Sequence, residues 1–117
     1  MDQPKQYEIV GGDDDTWGSR FGPVIAEEVG EIELVGFSGY RLVLLHLLKP
    51  FLVDGENVEF LVVSPRYSGF TLNDIRERGC FVAISRILPG KQIDMQKGLS
   101  KGDIASLSIG VCKPVPS

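Results

Sequence analysis

The stretch GGDDDTWGSRFG, residues 11–22, holds the densest set of chemistry-bearing side chains in this 117-residue chain. Asp13 and Asp15, at alternate positions, could offer oxygen ligands to a hard cation such as calcium. The third alternating ligand and the closing glutamate of a calcium loop are missing, and solvation is the simplest relief for three adjacent carboxylates. Asp13 and Asp15 are therefore metal candidates with an incomplete pattern, set against a solvated turn. Two further strings, SRFG at 19–22 and PRYSG at 65–69, place an arginine beside an aromatic ring in a glycine-bearing loop. A guanidinium grips a carboxylate or phosphate in two-pronged fashion and a ring offers a stacking face. Trp17, Arg20, Arg66 and Tyr67 thus form a candidate binding set for a small anionic or aromatic ligand if the two loops converge. Otherwise the arginines are expected in surface ion pairs with the many acids.

Catalytic chemistry finds less support. His46 is the only histidine, and inside LVLLHLLK it reads as a buried, hydrogen-bonded core residue. Ser64, Ser85, Cys80 and Asp74 are present, but none lies in a nucleophile elbow or a comparable setting. No glycine-rich phosphate loop is visible. No catalytic residue and no cofactor is assigned, and the sequence leans away from an enzyme.

The elements that must position these residues are mostly strands. YEIV (7–10) stops at a Gly-Gly turn; EIELVGF (31–37) starts with clean alternation; SGY turns the chain into 41–48. That last segment is apolar on both faces, which suits a buried strand, while its leucine richness also admits a helix and hence an α+β alternative. Asp54-Gly55 is a hairpin signal before a strand at 58–63. Thr71 with Asp74 three residues on has capping-box spacing, and Gly79 supplies a stop, so a short helix is expected at 72–78. CFVAISRIL (80–88) reads as a strand, KQIDMQKGLSKGD (91–103) as a loop or edge strand. IASLSIGVC (104–112) reads as a last strand with Leu107, Ile109 and Val111 on one face and Ser106 and Ser108 on the other. The prolines of KPVPS should then end the fold, leaving 113–117 as a flexible tail. The whole predicts one β-rich domain over 1–117, a small barrel or sandwich of six to seven short strands. DGENVEFLV resembles the turn and strand of some OB-type barrels, and LSKGDIASL resembles the Gly-Asp turn before a strand in several small β-barrel families.

Size and charge bound the rest. One core fits the length, and no apolar run reaches the 18 to 20 or so residues of a membrane helix. With no signal peptide visible, a cytoplasmic address is the default expectation. Two cysteines, Cys80 and Cys112, are too few for a disulfide scaffold and are expected as reduced thiols. A pI near 4.9 opposes nucleic-acid binding. Residues 1–40 carry nine acids against two bases, and the remainder seven acids against ten bases. This split suggests complementary surfaces for a homo-oligomer or a protein partner. The sequence therefore points to a non-catalytic binding or interaction module, with a small-ligand pocket or modest enzyme built on the Arg/aromatic set as the alternative.

Overall fold

A computed structural model describes residues 4–12, 21–37, 40–53 and 55–116. The strands are β1 (Gln6–Gly11), β2 (Phe21–Glu33), β3 (Arg41–Val53), β4 (Glu56–Pro65), β5 (Cys80–Ile87) and β6 (Ile104–Pro114). One helix, α1 (Leu72–Glu77), lies between β4 and β5, and a 3-10 turn (Lys101–Asp103) precedes β6. Each strand pairs antiparallel with its sequence neighbours, and β6 returns to β1, closing a barrel in the order 1-2-3-4-5-6. Closure leaves no bare sheet edge, which is how a small β protein avoids edge-to-edge pairing. The result is a mainly β protein in which the barrel, not the sandwich, is realised. Its order is a plain meander, unlike the Greek-key order of OB-type barrels.

β3 settles its own ambiguity. It pairs with β2 on one side and β4 on the other, and it is buried on both faces from Leu42 to Leu45, so the helical alternative for 41–48 does not hold. Val43, Leu45 and Leu47 enter the main core with Tyr7, Ile9, Leu61 and Ile84. Leu42 and Leu44 point the other way and join Ile32, Leu34, Val62 and Leu99 in a second core. The segment between β5 and β6 makes that second core possible by crossing the outside of the barrel. Leu99 N–H donates to the Glu33 carbonyl at 2.9 Å and Val35 N–H to the Leu99 carbonyl at 2.7 Å. Pro50 sits in β3 where pairing lapses between His46 and Phe51, so its missing donor costs no ladder bond.

Four expectations need correction. β2 starts at Phe21, ten residues before the expected strand, and ends at Glu33. Gly22, Pro23 and a bulge at Val29, where the register shifts between Glu28 and Gly30, break the alternation that would have revealed it. Ser108 is buried, not outward. A bulge at Leu107, where Ile84 faces Ser108 but Ser85 faces Ser106, resets the alternation, and the buried Ser108 Oγ accepts the Gly12 N–H at 2.6 Å. His46 is exposed and rests against the Phe60 ring, centroids 4.7 Å apart. β6 also runs through Lys113 and Pro114, two residues past the point where the prolines were expected to stop it. Pro114 faces Tyr7, and Val115 N–H donates to the Gln6 carbonyl at 2.9 Å.

The β1–β6 seam is tight. Gly11 faces Gly110, and a Cβ at Gly110 would run into the Val10 carbonyl oxygen and lie 2.8 Å from Gly11 Cα. Only glycine lets the two backbones approach this closely.

Candidate functional site

The PRYSG motif lies where β4 leaves the barrel. Arg66 N–H donates to the Phe81 carbonyl at 2.9 Å, extending the β4–β5 ladder one residue beyond Pro65, and the chain then turns through Gly69 at φ 94°. Thr71 starts α1 as expected: its N–H donates to Asp74 Oδ2 at 2.7 Å. That backbone bond, with Arg78 nearby, holds the Asp74 carboxyl below its ordinary range. The helix stops before Gly79, φ 82°, whose N–H closes on the Asp74 carbonyl at 2.8 Å.

Across from this loop, the turn that joins β2 to β3 delivers Tyr40, whose hydroxyl lies 2.8 Å from the Ser64 Oγ. Between them is a cleft of about 300 Å³ lined by Tyr40, Arg41, Ser64, Arg66, Tyr67 and Phe70, among others. Its rim is aromatic and open: Tyr67 is 49% exposed, Tyr40 45% and Phe70 42%. The Arg66 guanidinium lies 5.5 Å from the Tyr67 ring centre. Tyr67 meets Phe81 edge-on at 6.1 Å, and Arg78 stands 5.9 Å from the Phe70 ring.

The described arginines differ in how they are used. Arg41 pairs with Glu31, Arg78 with Asp74 and Arg86 with Glu56, each at 3.0 Å. Arg76 spans two carboxylates, at 3.1 Å from Glu28 and 2.7 Å from Glu31. Among the described residues Arg66 has no carboxylate partner; its company is the Tyr67 ring. Behind the cleft, Glu28 also accepts the buried Tyr7 hydroxyl at 2.7 Å. Hydrogen bonds from Arg76 and Arg41 hold Glu31 below its ordinary pKa. Bonding to Glu28, and secondarily to Glu31, raises Arg76. Desolvation, then the bond to Glu28, raises Tyr7.

This arrangement can hold an anionic group against Arg66 and an apolar group against the rings. The Ser64 hydroxyl, buried at the floor, is engaged by Tyr40 and not by a base. Among the described residues no three His, Cys, Asp or Glu side chains gather to hold a metal ion.

Of the sequence candidates, Arg66 and Tyr67 line the cleft. Trp17, Arg20, Asp13 and Asp15 lie outside the described residues. Phe21, the described end of the SRFG motif, stacks on Phe51 at 5.1 Å, near the end of β3 opposite Arg41. Tyr40 and Phe81 were not legible as site residues, since chain folding alone brings them to Arg66 and Tyr67. Phe70, one residue past the PRYSG glycine, was within reach of a local reading. No helix among the described residues is long and apolar enough to cross a membrane. Set against protein-family models, curated proteins and solved structures, the chain matches none of them, so the geometry of the cleft carries the functional argument.

Proposed function

We propose that this protein is a non-catalytic binding module whose cleft receives a segment of a protein partner presenting a carboxylate beside an apolar or aromatic side chain. The observation that carries this reading is Arg66, which has no carboxylate partner among the described residues and is backed by an exposed tyrosine. Arginine and tyrosine are the residue types that dominate binding energy at protein interfaces. The cleft is shallow and open, and core side chains fill the barrel interior, which favours contact with a partner's surface over enclosure of a small molecule. Part of the charge split of the sequence is answered within one chain. Acids of the first forty residues meet bases of the remainder within one chain, at Arg76–Glu28, Arg76–Glu31, Arg41–Glu31 and Lys113–Glu8.

N-acetyl-phenylalanine, which carries a carboxylate and a ring, is the minimal probe. At about 100 times its dissociation constant, a ligand bound only by the folded state adds about 2.7 kcal/mol, read as a rise in melting temperature. The rise is expected with the acid, reduced with its neutral amide, and lost in Arg66→Ala. An equal rise in wild type and Arg66→Ala overturns the reading. A rise with acetate as large as with the aromatic acid replaces it with a small-anion site.

A further inference from the structure

Cys80 and Cys112 are not two unrelated buried thiols. They are direct partners across the antiparallel β5–β6 ladder, so their side chains leave the same face of the sheet side by side. Directly opposed residues in an antiparallel pair have Cα atoms about 4.5 or 5.5 Å apart, depending on the kind of pair. Both separations fall inside the roughly 4.4–6.8 Å span that a disulfide bridges. Cys112 is fully buried in the main core and Cys80 packs partly exposed against the same core. The backbones here are close: a Cβ at Gly79 would lie 2.5 Å from Lys113 Cβ and 2.9 Å from the Cys112 carbonyl oxygen. Cys80 is the partly exposed member of the pair and Cys112 the buried one.

We propose that Cys80 and Cys112 form a redox modification site, closing to an intramolecular cross-strand disulfide by exchange with a low-molecular-weight disulfide. In the first step the Cys80 thiol loses its proton and its sulfur attacks one sulfur of the reagent, forming a mixed disulfide and releasing one thiol. In the second, the Cys112 thiol loses its proton and attacks the Cys80 sulfur, releasing the second thiol. The protein loses two hydrogens and two electrons, and the reagent disulfide gains them as two thiols. The site stands whether or not the cleft binds a partner.

The closed bridge ties the first residue of β5 to β6, the strand that closes the barrel. A crosslink of this kind is expected to raise the melting temperature by about 5 °C or more. Exchange needs thiolate, and burial works against it: desolvation raises Cys80 and pushes the Cys112 thiol up to about 12. The rate should therefore be slow at neutral pH and climb steadily toward alkaline pH.

The test uses the folded full chain and oxidised glutathione, followed by unfolding, alkylation and intact-mass measurement. Untreated protein takes two alkyl groups, one on each free cysteine. Treated protein is expected to take none, to carry no glutathione, to run as a monomer without reductant and to regain both alkyl groups after dithiothreitol. Cys112→Ala is expected to stop as a single glutathione adduct at Cys80, and Cys80→Ala to react only on unfolding. A glutathione adduct that persists on wild type overturns the proposal. So does a disulfide-linked dimer, or retention of both alkyl groups under conditions that oxidise the urea-unfolded chain. The wild-type masses and melting temperatures decide the matter even if Cys112→Ala fails to fold.

Discussion

Arg76 joins three strands through its partners, because Glu28 and Glu31 lie on β2, Tyr7 on β1 binds Glu28, and Arg41 on β3 binds Glu31. Its side chain is about one fifth exposed, so water screens these contacts only in part. Arg76→Ala leaves two neighbouring carboxylates without their shared cation, and we expect a loss of about 1–3 kcal/mol in urea unfolding. Glu31 adds a pH signature. Its folded pKa lies below the ordinary 4.5, so between the two values the folded state binds fewer protons than the unfolded state. The stabilisation is whole above the ordinary value and is lost as pH falls through the depressed folded value. Glu31→Gln is expected to flatten the acid limb of a melting-temperature profile below about pH 4.5 and to leave the slope above it unchanged. Asp74 makes the same kind of contribution locally, through Thr71. That pairing was legible because cap and acceptor are three residues apart. The Arg76 contacts were not, since 45 and 48 residues separate the partners and nothing local marks them.

At the scale of elements, the packing of β3 on two faces depends on the segment that covers its outside. Leu99, fully buried in the second core, is the main anchor of that cover. Leu99→Ala is expected to cost about 2–4 kcal/mol in urea unfolding. The β1–β6 seam depends on a missing side chain instead: Gly110→Ala drives a methyl into the Val10 carbonyl. A loss above about 2 kcal/mol is expected, or failure to fold, and a melting temperature near that of wild type would contradict the close approach. Sequence reading found β1, β4, β5, β6 and α1 where pattern and punctuation agreed. It missed the first ten residues of β2 because Gly22, Pro23 and the bulge at Val29 interrupt the period that identifies a strand. It left 41–48 open because a strand covered on both faces loses its alternation, and the cover, 88–103, looks like an ordinary polar loop.

For the whole molecule, closure is the feature least visible in the chain. Each strand pairs with its neighbour in sequence, but the pairing of β6 with β1 joins residues more than ninety positions apart, as Gly12 with Ser108 does. The same long reach assembles the cleft, which takes Tyr40 from the β2–β3 turn and Arg66 and Tyr67 from the exit of β4, with Phe81 of β5 against the Tyr67 ring. Local sequence offered the adjacent Arg66 and Tyr67 and could not supply their neighbours. The most direct measurement is a titration of isotope-labelled protein with N-acetyl-phenylalanine, followed by backbone amide chemical shifts. We expect saturable shifts confined to residues 64–72 with Tyr40 and Phe81, and their loss in Arg66→Ala with the rest of the spectrum unchanged. Saturable shifts centred elsewhere on the barrel, or shifts at the cleft that survive Arg66→Ala, would contradict the assignment of this cleft as the binding site.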